Sequence, residues 1–157
     1  MNETNEYLYS NIKDPIHWRV CEIILEQSSK HPNLKIIKFL DGPEWTYNDL
    51  KTKALQKANI LKQKGFKKGD AITVFIQDPK EFILYWIASN LLGLLFVALN
   101  TAIRGSVLLH QIKISKSKYV IVEDIFFEEV HELINKNNLE AYSFCLLYTS
   151  DAADDRI

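Results

Sequence analysis

Residues 68–105 read KGDAITVFIQDPKEFILYWIASNLLGLLFVALNTAIRG, and their order of strand, turn, capped helix, strand and polar loop decides the fold. The run 71–76 follows the turn pair Gly69-Asp70 and is rich in β-branched and aromatic residues. That composition suits a strand buried on both faces. Asp78 is placed to cap a helix, Pro79 fits the first helical position where no N–H is needed, and Glu81 stands three past the cap to close a capping box. The helix should run to about Leu92, where Gly93 interrupts the pattern, and residues 94–99 form a second buried strand. Such a unit has parallel strands and a right-handed crossover.

A rival interpretation competes for the same stretch. Residues 82–99 are eighteen consecutive uncharged positions, near the minimum for a membrane span. Ser89-Asn90 and Gly93 lie inside the segment, a capping pattern precedes it in place of a lysine cluster, and the apolar strand before it has no membrane role. A βαβ unit accounts for all three features.

Working outward, the 157 residues carry a net charge of -1 with 47% hydrophobic residues, enough apolar material for one globular domain. Residues 1–11 are polar and acidic, without the apolar core of an export signal. With Cys21 and Cys145 as the only cysteines, a reducing compartment is expected, not a disulfide framework. The expected localisation is cytoplasmic.

Upstream, a packing helix is expected over 16–28, with Pro15 at its start and Val20, Ile23, Ile24 and Gln27 near one stripe. Residues 34–40 read as a strand ending at Asp41-Gly42-Pro43, and Trp45-Thr46-Tyr47 can pair with it as a hairpin. Thr46 then serves as an N-cap with Asp49 three later, and Leu50, Ala54, Ala58 and Leu61 recur at helical spacing up to Gly65. Gly65 suits the left-handed position after a helix, with Phe66 folding back on the last turn. Downstream, a helix from Gly105 or Ser106 to Ser115 should face Val107, Leu108 and Ile112 inward, a strand follows at 119–122, and Asp124 should cap an acidic helix over 125–135 closed by Asn137-Asn138. Alternating strands and helices predict an α/β fold of repeated strand-helix units forming part of a parallel sheet.

Residues 51–68 hold seven lysines and no acid, which raises the question of nucleic acid or an anionic surface. No stacking aromatics interleave with them and the chain is not basic overall, so a solvated helix face is expected and no nucleic-acid partner.

The sequence contains no G-x-x-x-x-G-K-[ST], G-x-G-x-x-G or G-x-S-x-G, and its five glycines are too dispersed to cradle a phosphate. His17, His31, His110 and His131 lie far apart, without metal-ligand spacing, so no metal site is expected. A ligand on a parallel sheet belongs at the carboxyl ends of its strands, here Gln77-Asp78, Asn100-Thr101 and Glu123-Asp124. For Asp78 and Asp124, helix capping is the simpler role.

Four blocks in order carry a family resemblance: Trp45-Thr46-Tyr47-Asn48-Asp49-Leu50, Gly65-Phe66-Lys67-Lys68-Gly69-Asp70, Pro79-Lys80-Glu81-Phe82, and Leu92-Gly93 with Val97-Ala98-Leu99-Asn100. Together they resemble the opening region of the AMP-forming acyl-CoA synthetases of the adenylate-forming superfamily. The segment 100–105 with Leu108-Leu109-His110 is most similar to the fatty acid transport protein and very-long-chain acyl-CoA synthetase branch, then to the carnitine-type CoA ligases. The resemblance spans roughly 45–124. It implies an incomplete N-terminal portion of a large adenylate-forming domain, and a ligase in which a carboxylate attacks the α-phosphate of ATP before CoA displaces AMP. Magnesium would stabilise the phosphate charge.

The motifs that carry that chemistry in the family, a Ser/Thr/Gly-rich phosphate loop, a Tyr-Gly-x-Thr-Glu element, a ribose-binding Gly-Asp and a C-terminal lysine, would all lie beyond residue 157. No catalytic residue is therefore carried over. Arg104, the one charged residue of the matching polar loop, is the candidate for contacting substrate or a neighbouring subdomain, with pairing to a nearby carboxylate as its structural role. Residues 145–157, CLLYTSDAADDRI, depart from the Lys/Asn/Ile-rich style before them, and residues 146–155 resemble a translated library adapter. The expected organisation is thus 1–144 as a truncated N-terminal part and 145–157 as a non-native tail. Such a fragment would be inactive, would not hold ATP, CoA or Mg2+ tightly, and would expose sheet edges and be poorly soluble. Two other functions stand beside the ligase: a free-standing α/β binding module, and a membrane-anchored protein spanning at 82–99. The resembled branch also makes peripheral membrane association an expectation for the full enzyme.

Overall fold

A computed structural model describes residues 19–40, 42–139 and, as backbone, 142–146. The expected helix start at 16–18, His17, Asp41 of the first turn and the tail from 147 lie outside the described residues.

Helix α1 (Val20–Lys30) leads into a hairpin of β1 (Lys35–Lys38) and β2 (Glu44–Thr46), antiparallel with Ile37 opposite Trp45. Helix α2 (Tyr47–Gln63) starts at once, because Thr46 and Asp49 close a reciprocal capping box: the Asp49 N–H donates to Thr46 Oγ1 at 3.1 Å and the Thr46 N–H to Asp49 Oδ2 at 2.9 Å. The Thr46 N–H, and secondly the Thr46 hydroxyl donating to the same oxygen at 2.7 Å, hold the Asp49 carboxyl below the usual carboxylate range.

The main sheet holds β3 (Ala71–Phe75), β4 (Leu95–Ala98), β5 (Tyr119–Glu123) and β6 (Tyr142–Leu146), all parallel, in the order β4-β3-β5-β6. Helices α3 (Pro79–Leu92), α4 (Gly105–Ser115) and α5 (Phe127–Lys136) make the crossovers. The fourth strand was not foreseen; its backbone pairs with β5 from Tyr119 opposite Tyr142 to Glu123 opposite Leu146.

Strand residues sort by parity onto two cores. Ile72 and Val74 of β3 and Ile121 of β5 meet Ala58 and Leu61 of α2 and Tyr85 and Ala88 of α3. On the opposite face Phe75, Val120 and Val122 meet Leu108 and Ile112 of α4 and Val130 and Ile134 of α5. Each fully buried Val, Ile or Leu contributes about 1.5–3 kcal/mol, so these two layers hold the sheet between them. The polar exception, Thr73, is fully buried and shares a 2.6 Å hydrogen bond with Ser117.

Helix α3 explains the uncharged stretch. Its Tyr85 and Ala88 face the sheet, while Leu84 and Ile87 face a third cluster with Ile24, Trp45, Leu50 and Ala54. A helix covered on two sides is apolar nearly all round. Gly93, at φ 68, ends it in a left-handed cap, and residues 95–98 leave as strand. Among the described residues no helix is long and apolar enough to cross a membrane.

Four expectations are corrected. Val107 is 53% exposed, because the inward stripe of α4 is Leu108 and Ile112. The buried side of α1 is Cys21, Ile24 and Ser28. The helix expected at 125–135 opens as a 3-10 turn over Asp124–Phe126, and α5 proper follows. Glu81 does not close a capping box: the Asp78 side chain accepts from the Lys80 N–H, and the Glu81 carboxylate is committed elsewhere.

Candidate functional site

The strand order places β4 on one side of β3 and β5 on the other, while α3 and α5 pack on different faces of the sheet. Chain connections therefore diverge above the carboxyl ends of β3 and β5, the place where open α/β sheets bind ligands. All three expected positions, Gln77-Asp78, Asn100-Thr101 and Glu123-Asp124, lie at carboxyl ends of the sheet's strands.

In this chain the crevice between β3 and β5 is filled from within. Glu123, the last residue of β5, is 8% exposed, and its Oε2 accepts from the Gln77 N–H at 2.6 Å and the Asp78 N–H at 3.0 Å. The amides at the entry to α3 thus receive a carboxylate from a strand 45 residues away, at the helix end that favours negative charge. Charge-assisted bonds of this kind are the strong ones. Sequence inspection marked this position as a ligand-facing strand end and missed the bond. A Glu at the final position of a strand beside a helix start is the only hint the sequence holds.

Because Glu123 serves the turn, Glu81 is released to face α2. Its Oε2 lies 2.7 Å from Lys57 Nζ, with the two side chains only 17% and 14% exposed. Lys57 Nζ also stands 5.1 Å from the centre of the Tyr85 ring. Burial, and secondarily the Glu81 carboxylate, push the Tyr85 phenol well above the ordinary tyrosine range. Lys57 is thus withdrawn from the solvated face on which all seven lysines were expected. Beside this pair a cleft of about 270 Å³ is lined by Trp45, Lys53, Lys57, Asp78, Lys80 and Glu81, among others. Two of its lysines, Lys53 and Lys80, could meet an anionic ligand.

The polar loop after β4 is stiffened locally. Asn100 Oδ1 accepts from the Ala102 N–H at 2.9 Å, and the Ile103 N–H donates to the Asn100 carbonyl at 3.2 Å. Arg104 donates from one terminal nitrogen to the Thr101 and Ile103 carbonyls, and its Nε lies 3.0 Å from Glu129 Oε2 on α5. Its guanidinium stands 5.1 Å from the Phe126 ring centre and 5.8 Å from that of Phe75. The side chain thereby staples the loop over one apolar core, with close to half its surface still exposed.

The expected residues are therefore gathered at one end of the sheet but work on separate tasks. His31, His110 and His131 are not brought together with them, and among the described residues no group of three His, Cys, Asp or Glu side chains is placed to hold a metal. Within the described residues, this arrangement positions loops and helix starts.

Comparison with known proteins bears on the same residues. A family described as "AMP-binding enzyme" matches residues 24–156. The chain is 27% identical over 112 residues to long-chain fatty acid transport protein 1 of Mus musculus, covering 71% of this chain and 17% of that protein. It is 24% identical over 147 residues to 4-coumarate–CoA ligase of Vanilla planifolia, covering 94% of this chain and 26% of that protein. Among solved structures, an anthranilate CoA ligase in complex with anthranoyl-AMP superposes with a TM-score of 0.73 at 21% identity, over 85% of this chain and 26% of that one. The o-succinylbenzoate CoA synthetase of Bacillus subtilis, in complex with its acyl-adenylate intermediate, gives 0.68 at 20% identity, over 78% and 24%. These likenesses show the fold. The chain spans about a quarter or less of the proteins just named, and with the family match running over most of its length it belongs to the AMP-binding enzymes, the adenylate-forming family.

Proposed function

We propose that these residues form the opening part of an ATP-dependent carboxylic acid–CoA ligase, which joins an acid to AMP and then transfers the acyl group to CoA. The observation that supports this is the family match over residues 24–156, together with a fold that superposes on a CoA ligase with a TM-score of 0.73. The four blocks quoted above occupy structural positions in that sheet: the capping box of α2, the turn into β3, the start of α3 and strand β4. The acid is a fatty acid in this proposal, supported by the similarity to fatty acid transport proteins from mouse and human. ATP, CoA and Mg2+ would be held by parts of the ligase outside these 157 residues, and the chain by itself is proposed to be inactive. Residues 1–144 are proposed as native ligase sequence and 145–157 as a foreign tail, on the change of composition at Cys145, although the family match runs on to 156 and the backbone of β6 to Leu146; the full enzyme is proposed to be cytoplasmic or loosely membrane-bound. Arg104 is proposed to position the loop after β4, with Glu129 as its partner.

The test is to sequence the source locus through the codons for Phe144 to Ile157 and express whatever frame is found. The proposal expects several hundred further codons with a Ser/Thr/Gly-rich loop ending in lysine. It also expects a product that exchanges pyrophosphate into ATP when given a long-chain acid. A frame ending at Ile157, or a longer product with no acid-dependent exchange, would overturn it.

A further inference from the structure

The amino end of the sheet, opposite the crevice, carries a charge distribution that the ligase reading does not use. Lys113 lies in the last turn of α4, Lys116 caps it and Lys118 precedes β5, and all three line one cavity of about 490 Å³ with Ile112, Ser117, Asn138 and Leu139. No acidic side chain among the described residues lines it. The carboxyl ends of α4 and α5 point to this side of the sheet, and each contributes about half a negative charge. Three ammonium groups exceed that by about two charges.

The cavity rim is held in place by the fold. Ser117, between the two flanking lysines, is 5% exposed; its hydroxyl pairs with Thr73 at 2.6 Å and its N–H donates to Ser115 Oγ at 3.2 Å. The opposite rim is closed by the Asn138 N–H to the Asn135 carbonyl and the Leu139 N–H to the Ile134 carbonyl, both at 3.2 Å. Lys116 (φ 53) and Asn138 (φ 48) both stand in the left-handed region, where a lysine is disfavoured and glycine would be at ease. Lys116 is the left-handed C-cap of α4, so its side chain is carried on a fixed turn at the helix end.

We propose that this cavity is a phosphoryl-binding site, taking a phosphate or diphosphate group through Lys113, Lys116 and Lys118. The ammonium groups supply point charges for phosphate oxygens, as lysines do in other phosphate sites. The site is distinct from the crevice at the carboxyl ends and does not depend on the ligase assignment.

The experiment is a titration of the full 157-residue chain with sodium pyrophosphate, inorganic phosphate and, at matched ionic strength, sodium chloride. It is followed by amide chemical shifts and melting temperature. Saturable shifts at residues 113–118 and 138–139 with pyrophosphate, and none with chloride, are expected. Lys116→Gly is the decisive variant. It should melt higher than the parent because the strain is relieved, yet bind pyrophosphate at least fivefold more weakly. Lys113→Gln with Lys118→Gln should weaken binding further, and Lys51→Gln with Lys62→Gln, which removes equal charge elsewhere, should leave it unchanged. Vesicles of phosphatidylcholine with and without phosphatidic acid distinguish a lipid headgroup from a free anion as the source. Identical responses to chloride and pyrophosphate, or equal losses in both double variants, would overturn the proposal, as would a Lys116→Gly protein that binds as well as the parent.

Discussion

The two ends of the parallel sheet use charge in opposite ways. At the carboxyl end, Glu123 and Asp78 direct their carboxylates onto backbone N–H groups at the start of α3, Glu81 is paired with Lys57, and Arg104 is paired with Glu129. At the amino end, Lys113, Lys116 and Lys118 stand exposed around a cavity with no described acid lining it. The chain's net charge of -1 conceals this separation. At one end charge is consumed in holding turns, and at the other it is displayed, so the end where sheets of this kind bind ligands is here the more self-contained one.

If charge at the carboxyl end is structural, Glu123→Ala should give the largest effect. It strips the acceptor from two backbone donors, a loss of about 2–3 kcal/mol by urea unfolding, with Glu123→Gln costing less because an oxygen remains. A loss under about 0.5 kcal/mol would break the comparison. Next, Lys57→Ala strands the Glu81 carboxylate between two helices at about 2 kcal/mol, below the fully buried case because both groups keep some exposure, whereas Lys57→Met with Glu81→Leu should come near neutral. At the other end the sign should reverse. Lys116→Gly should stabilise by about 1 kcal/mol, read as a higher unfolding midpoint with an unchanged slope. Arg104→Ala should cost about 0.5 kcal/mol, since its ion pair is roughly half exposed.

The smallest effect is on pH. Glu44 is held below the usual carboxylate range by Lys35, Asp49 by the Thr46 N–H, and Glu132 by Lys136. Because these folded-state values lie below the unfolded ones, their stabilisation is present above the ordinary carboxylate range and is lost as pH falls through the lowered values. The melting temperature should decline between about pH 5 and pH 3, and Asp49→Asn, which removes one of these titrating groups, should shallow that decline.

Much of the fold was legible because its signals are local. The capping box at Thr46 and Asp49, the left-handed Gly65, and the spacing of Leu50, Ala54, Ala58 and Leu61 depend on residues within a turn or two of one another. The uncharged stretch 82–99 was ambiguous by itself, since an apolar helix looks alike whether lipid or protein covers it. Among the candidate site residues, the sequence located the strand ends but not the bonds made there. It gave Glu81 to the cap of α3 because Glu81 is three residues from Asp78, and had no means of seeing that Glu123 would stand closer to those amides.

What the amino-acid sequence determined alone is the elements from α1 to β5 and the family: periodicity, caps and turn glycines are encoded within short windows, and the four blocks match in order. What only the tertiary structure decided is where the charges are used. Parallel strands bring residues 77 and 123 side by side and helix packing brings 57 to 81. Coulombic and hydrogen-bond energies depend on those through-space distances, which no local spacing in the chain records.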